Sequence, residues 1–306
     1  MKAVVTGGAG FIGSHLVEAL LAQGADVAVI DNLSTGHTEY VPKGVQLYQM
    51  DIRSEDLEKV LRSLQPEIVF HQAAQVDVQH SVKQPGYDAA VNIAGTANLL
   101  KACQLTGVRK VIYASSCAVY GELEAELIRE GDPTEPISFY GLSKKTPEIY
   151  LQLFHQLYGL SYTILRYANV YGPRQTPKGE GGVVSIFLDR IRRGEPLMVF
   201  GDGEQTRDFV YVKDVAAANV AAAFQADQQI VQVSTAAPTS VNQLLDLLSQ
   251  IHGQKLTPEY HEARAGDIKH SCLSNSRADK LLGWKPKYNL EAGLKETYQY
   301  MITEAK

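Results

Sequence analysis

Short apolar, β-branched runs alternate with longer segments of helical periodicity through the first half of this chain. The runs are Ala3–Thr6, Asp26–Ile30, Val45–Met50, Glu67–His71, Lys110–Ser115 and Tyr162–Arg166. The helical segments between them are Phe11–Gln23, Glu55–Leu64, Tyr87–Gln104 and Phe139–Tyr158. Apolar residues fill consecutive positions of the runs rather than alternate ones. That is the pattern of strands buried on both faces, as in a parallel sheet covered by helices. Strand and helix alternating over about 165 residues predict an α/β fold with a Rossmann-type doubly wound parallel sheet. Beyond Arg166 the regularity fails. Gly172–Gly182, rich in Gly, Pro and Lys, is expected to be a mobile loop. A strand at Phe209–Val212 and a helix at Val215–Phe224 are expected to rejoin the first domain, and Val241–Ile251 reads as a further helix. The expected division is therefore a first domain at 1–168, rejoined by about 209–235. A smaller α/β domain is expected at 169–306.

Composition narrows the function classes. The 306 residues carry 29 Lys and Arg against 34 Asp and Glu, a formal charge of −5 with no basic block. Nothing there provides a nucleic-acid footprint or an anionic-membrane anchor. No apolar run approaches the roughly 20 residues of a membrane span. The N-terminal apolar stretch breaks at Gly7 and reads as a first strand rather than a leader. Cys103, Cys117 and Cys272 share no metal-ligand spacing. They are expected to be free thiols in a reducing cytoplasm, and no metal site is expected.

In open α/β sheets the chemistry lies beyond the carboxyl ends of the strands. After the first strand the sequence runs Thr6-Gly7-Gly8-Ala9-Gly10-Phe11-Ile12-Gly13-Ser14-His15. Glycines allow a tight turn and a close approach of backbone N–H groups to a pyrophosphate, and the helix opening at Phe11 points its positive end there. A strand before the glycines and a helix after them is the context of a dinucleotide site. Asp31 ends the second strand at the spacing of a ribose-binding carboxylate, followed by Asn32-Leu33-Ser34-Thr35-Gly36. A carboxylate repels a 2′-phosphate and no arginine follows, so NAD is expected over NADP. Asp51 and Ile52 follow the third strand, at the expected adenine edge. Gln72-Ala73-Ala74 follow the fourth, with small residues beside the dinucleotide. His71 reads as a packed core histidine.

Tyr140 and Lys144 stand one helical turn apart on one face of a helix. The preceding strand ends in Ser115-Ser116-Cys117-Ala118-Val119-Tyr120-Gly121 and supplies a hydroxyl. A free phenol titrates near pKa ~10. An ammonium and an oxidised nicotinamide both favour phenolate. Tyr140 is then a candidate base that takes a hydroxyl proton while hydride leaves the same carbon, with Ser116 bonding the reacting oxygen and Lys144 holding the cofactor ribose.

With these segments in view, the chain resembles the extended short-chain dehydrogenase/reductases. Within the NAD-dependent epimerase/dehydratase family it looks most like the UDP-glucose (UDP-galactose) 4-epimerases. The resemblance runs along essentially the whole chain. It rests on Gly7–His15, Asp31–Gly36, Asp51–Arg53, Ser115–Gly121, Tyr140–Lys144, Leu165–Arg174, Gly201–Phe209 and Arg264–Asp267. It implies hydride removal from C4 of a UDP-hexose, a transient 4-keto sugar, and return of the hydride to its other face. It implies that Ser115, Asn92 and Tyr167 touch the cofactor and that Ser81 reaches the sugar. Asn169 would meet the substrate phosphates, Arg207 and Arg264 would clamp them, Asp267 would join this site, and Phe200 would line the uracil pocket. The second domain would then bind the sugar nucleotide. Ser271 stands where a small residue goes with N-acetylhexosamines as well as simple hexoses. The family is commonly a homodimer that pairs helices such as Tyr87–Gln104 and Phe139–Tyr158 in a four-helix bundle.

Two rival readings remain. A sugar-nucleotide 4,6-dehydratase or decarboxylase, or another NAD-dependent sugar-nucleotide oxidoreductase, shares the motifs. The dehydratases need an acid after the catalytic hydroxyl, where this chain has Cys117 and Ala118. A non-catalytic NAD-sensing module shares the fold, but has no use for Ser116, Tyr140 and Lys144 together.

Overall fold

The computed structural model describes residues 1–123, 125–177, 182–263 and 268–303. The first half alternates as its pattern predicts. β1 (Lys2–Thr6) leads to α1 (Phe11–Ala22), and β2 (Asp26–Asp31) is followed by β3 (Gln46–Gln49) and α2 (Leu57–Leu64). β4 (Ile68–His71) is followed by α3 (Val78–Lys83), α4 (Pro85–Ala89) and α5 (Gly95–Thr106). β5 (Lys110–Ser116), α6 (Phe139–Tyr158) and β6 (Ser161–Tyr167) complete the run. The second half holds β7 (Asn169–Tyr171), α7 (Val183–Arg193), β8 (Leu197–Phe200), β9 (Thr206–Tyr211) and α8 (Val212–Ala222). Then come β10 (Gln229–Val233), β11 (Pro238–Ser240), α9 (Val241–His252), β12 (Pro258–His261), α10 (Ser276–Leu282) and α11 (Leu290–Thr303).

Seven strands form one sheet in the order β10-β6-β5-β4-β1-β2-β3, all pairs parallel. Consecutive apolar residues serve opposite faces. Val5, Phe70 and Ile112 pack with Leu16 and Leu20 of α1, while Val4, Val69 and Val111 pack with Leu57, Leu61 and Leu151. Each fully buried side chain of this kind contributes about 1.5–3 kcal/mol. The chain leaves β1 toward β2 and β3 on one side and returns to β4 on the other. This reversal opens a crevice at the carboxyl ends of β1 and β4.

The tertiary structure refines three expectations. Of the stretch expected to rejoin the first domain, the strand at Phe209–Val212 stays outside the large sheet. As β9 it pairs with β7 and β11 in a separate three-stranded sheet, and β10 takes the seventh place. α8, which follows β9, does pack on α1 in the first layer. The segment expected as one helix at Tyr87–Gln104 is α4, a π-helical turn at Ala90–Ala94 and α5. Such turns often mark functional sites, and this one carries Asn92. The described part of the expected mobile loop is anchored. His15 Nε2 donates to the Pro173 carbonyl at 3.0 Å, and Gln175 Nε2 donates to the Val170 carbonyl at 3.0 Å. A third small sheet pairs β12 with β8. Phe11, Tyr171, Phe187, Phe209, Leu244 and Leu294 form the core on that side. Among the described residues no helix is long and apolar enough to cross a membrane.

Candidate active site

A cavity of about 570 Å³ follows the crevice, a size typical of small-molecule sites. Gly7, Gly10, Phe11, Ile12 and Gly13 floor it at the start of α1. The N-cap there is Gly10, no side chain caps the helix, and its first turn holds no acid. Its leading N–H groups are therefore available to an anion. The glycines are required by close packing. A Cβ on Gly13 would lie 2.0 Å from the Gly7 carbonyl oxygen, and Gly7, with φ +70°, runs against the backbone of Ala73.

Asp31 is buried at the end of β2. Burial raises its carboxyl pKa, offset by N–H bonds from Leu33 (2.8 Å) and Ala9 (2.9 Å). Each oxygen accepts one bond and keeps capacity for a hydroxyl donor. Asn32, Ser34 and Thr35 line the cavity beside it. Asp51 and Ile52 line it farther along. The Arg53 guanidinium holds the Asp51 carboxyl well below the usual range, and Asn32 Nδ2 donates to it at 2.8 Å. Gln72, Ala73 and Ala74 form the opposite wall. An uncapped helix start, an acceptor at the ribose position and a wall of small residues fit an adenine dinucleotide.

Ser115, Ser116, Tyr140, Lys144 and Tyr167 all face this cavity. Ser116 ends β5, and its Oγ accepts from Ala118 N at 3.1 Å. α6 starts hard against the short turn that follows. A Cβ on Gly141 would stand 2.4 Å from the Ala118 carbonyl oxygen, so the helix can approach only because this residue is glycine. That approach brings Tyr140 to the strand that carries Ser116. Lys144, one turn on, is buried with Nζ 4.7 Å from the Tyr113 ring centre. Burial lowers its pKa to about 8, while Asp88 and Glu148 pull it back up. It stays mainly protonated at neutral pH and places a cation in the wall. Tyr167 contrasts with it. Burial pushes its phenol up to about 12, so it remains a hydrogen-bond partner for Gln72 Nε2 (3.2 Å). The Ser115 hydroxyl donates to Glu148 at 2.6 Å and so belongs to the buried Arg166–Glu148 pair.

Several expected contacts sit one layer behind the wall. Asn92 is buried, accepts from Gln75 N at 2.8 Å, and donates to the Gln75 carbonyl at 2.9 Å. It holds the loop after β4 instead of facing the cavity. The Ser81 hydroxyl is engaged in a similar way. It donates to the Val78 carbonyl at 2.7 Å and accepts from Tyr140 N at 3.1 Å, tying α3 to the start of α6. Gly36 packs under Asp31, where a Cβ would meet Oδ1 at 3.0 Å. His71 is a core residue bonded to Thr6 Oγ1 (2.8 Å) and Thr96 Oγ1 (2.9 Å).

Of the residues expected on the substrate side, Asn169 lines the cavity. Arg207, on β9, donates to the Thr206 carbonyl at 2.8 Å. Burial raises the pKa of the Cys117 thiol and the Arg207 charge lowers it, so that charge acts on the cavity wall. Ser271 is half-buried and joins β9 through its N–H to the Thr206 carbonyl at 3.2 Å. Phe200 lies beyond the cavity, its ring 5.5 Å from that of His261. Arg264 and Asp267 lie outside the described residues. Gln75, Asp77, Gln175, Val183 and Val184 line the cavity without having been foreseen. Gln75 and Asp77 follow directly on the Ala73-Ala74 signal. Val183 and Val184 open α7, for which the sequence carries no local motif. Among the described residues no His, Cys, Asp and Glu cluster is arranged to hold a metal ion.

The family model for the NAD dependent epimerase/dehydratase family matches residues 3–234. The chain belongs to that family. NAD is the family's cofactor, and the cavity just described fits it. Members of the epimerase/dehydratase family share the fold closely. A UDP-glucose 4-epimerase from Thermotoga maritima, solved with UDP-glucose, has a TM-score of 0.97 and 45% identity, with 100% of each chain covered. A UDP-glucose 4-epimerase from Thermus thermophilus, solved with NAD, has a TM-score of 0.94 and 43% identity over 100% of each chain. A UDP-N-acetylglucosamine 4-epimerase from Methanobrevibacter ruminantium, in complex with UDP-N-acetylmuramic acid, has a TM-score of 0.94 and 38% identity, covering 99% of this chain and 98% of that one.

Proposed function

We propose that this chain is a NAD-dependent UDP-sugar 4-epimerase acting on UDP-glucose and UDP-galactose, and on the N-acetylated pair as well. One observation carries the reading: Ser116, Tyr140 and Lys144 share a cavity with the uncapped start of α1. When bound, NAD would supply the redox chemistry, as acceptor of a hydride from C4 of the sugar and as its donor to the opposite face of the 4-ketone. Tyr140 removes the proton of the C4 hydroxyl and later gives it back. Lys144 favours the phenolate by its charge and holds the nicotinamide ribose. Ser116 keeps the reacting oxygen in line by a hydrogen bond. Asn169 and Arg207, with Arg264, hold the diphosphate. A planar guanidinium suits this because it donates bidentately to phosphate oxygens. The sugar is thereby tethered at one end while its ring turns over.

The wider substrate range rests on the family resemblance, in which the small residue Ser271 stands at the position that leaves room for an N-acetyl group. A panel of UDP- and dTDP-hexoses, with NMR identification of each product, tests the reading. Interconversion of UDP-glucose and UDP-galactose with no net NADH is the expected result. A 4-keto-6-deoxy product, or no turnover of any nucleotide sugar, would replace it with a rival.

The partner in solution is read as a second copy. Ile149, Leu153 and Leu157 stand at helical spacing on α6, 49%, 46% and 69% exposed, with Tyr87 and Leu105 also outward. An apolar stripe of this kind favours association with a like helix. Three cysteines outside any disulfide fit a reducing cytoplasm.

A further inference from the structure

We propose that the strap Gly172–Pro177 retains bound NAD, and that its lock is the ion pair between Arg174 and Glu18 stacked on Tyr40. The strap crosses from β7 over the start of α1. Its inner residue, Gln175, faces the cofactor cavity and is 7% exposed. Its Nε2 donates to the Val170 carbonyl at 3.0 Å, which fixes the orientation of the amide. Its Oε1 is then a buried acceptor with no donor among the described residues. Such an atom awaits a bound molecule or water. Arg174 turns the other way. It sits at φ +70°, a conformation that side-chain-bearing residues adopt only when contacts hold them there.

Those contacts come from two directions. Arg174 Nη2 donates to Glu18 Oε1 at 2.5 Å, and its guanidinium lies 5.3 Å from the Tyr40 ring centre. One side chain thus joins α1, the segment after β2 and the strap. Its Nη1 is a second buried atom with no partner among the described residues. His15 completes the anchorage with its bond to the Pro173 carbonyl. Burial lowers the pKa of His15 to about 4, so the ring is neutral at pH 7 and leaves the Glu18 charge to Arg174.

What the lock closes is also visible. Thr35 and Gln175 border the cofactor cavity and, at the same time, a second and more open hollow of about 690 Å³ bounded by His37, Tyr40 and Arg174. The strap is the partition between them, next to the turn that carries Asp31. Without the lock, the adenosine end of the cavity opens sideways. The inference rests on NAD as the cofactor and not on which sugar is turned over. A cofactor regenerated in every cycle gains nothing from leaving, so a fixed partition suits it.

The test measures NAD dissociation from holoenzyme by chasing bound NAD with isotopically labelled NAD and following exchange by mass spectrometry. Glu18→Gln and Arg174→Met should each raise the off-rate by about threefold or more, as expected for a partly screened ion pair. The double variant should do no more than Arg174→Met alone. Raising salt from about 0.05 M to about 1 M should accelerate release from the parent by a larger factor than from either variant. Turnover with saturating NAD should stay close to the parent, which separates this result from a failure of the epimerase reading. If Arg174→Met does not fold, Glu18→Gln decides, since Glu18 is 45% exposed. Off-rates equal to the parent in the folded variants, or additive effects, overturn the proposal.

Discussion

At the scale of single residues, Tyr140 carries the heaviest burden. Its ring faces the cavity while its backbone N–H is fixed by Ser81. Tyr140→Phe removes the exchangeable proton and little else. Turnover should fall by about 10² to 10⁴, with the melting temperature and bound NAD content unchanged. Near-parent turnover would assign the base elsewhere. Ser271 tests substrate size. Ser271→Tyr should depress kcat/KM for UDP-N-acetylglucosamine far more than for UDP-glucose, and equal losses for both sugars would remove it as a selector. The wall residues were legible because they stand at strand ends or, for Tyr140 and Lys144, one turn apart on one helix face, and their types match the chemistry. Asn92 and Ser81 depart from expectation for a physical reason. Both are polar and close, but the bonds they make here go to the loop after β4 and the start of α6, neither of which has a sequence signature.

At the scale of elements, the buried Arg166–Glu148 pair joins β6 to α6. Arg166 donates to both Glu148 oxygens, at 2.9 and 2.7 Å, and its Nη1 donates to Tyr120 Oη at 2.8 Å. Both residues are almost fully buried. Removing one charge leaves the other unpaired in a dry interior. Glu148→Gln should therefore cost about 3–5 kcal/mol, read as a shift of the urea midpoint. Because α6 carries Tyr140 and Lys144, any loosening should also reach turnover. A midpoint within error of the parent would mean that the pair contributes nothing net. The alternation of strand and helix in the first half was readable because doubly buried strands have few polar positions. The sheet that β9 joins was not, because apolar pattern reports burial and not partner.

For the whole molecule, acidity is the relevant stress. Burial lowers the pKa of His71 from 6.5 to about 3 and that of His15 from 6.5 to about 4. Above pH 6.5 both are neutral in folded and unfolded chains and contribute no slope. Below it the unfolded chain takes up protons that the folded chain refuses. Stability should therefore fall as pH drops from 6.5 toward 4, by up to about 1.4 kcal/mol per unit for each histidine. His71→Gln should lower the melting temperature at pH 7.5 yet flatten its fall between pH 6.5 and pH 5. An unchanged slope would mean that other groups govern the acid limb. Assembly is the other property at this scale. Leu153→Glu places a charge in the apolar stripe of α6 and should convert a dimer to monomer by light scattering, with secondary structure retained. A monomeric parent would leave the stripe without a second copy.

The sequence by itself determined the parallel sheet, the glycine turn, the carboxylate that ends β2, and the trio Ser116, Tyr140 and Lys144. These are local matters: burial pattern, backbone freedom, and reactive groups at fixed distances from a strand end. Tertiary structure alone decided that β10 closes the large sheet and that a π-helical turn aims Asn92 at the loop after β4. It also decided that the strap after β7 is pinned to α1 through Arg174 and Glu18. Each of these depends on which distant segments meet, and a chain's local pattern carries no record of its partner. The contacts that select the partner are the hydrogen bonds, ion pairs and close approaches formed only when the layers pack.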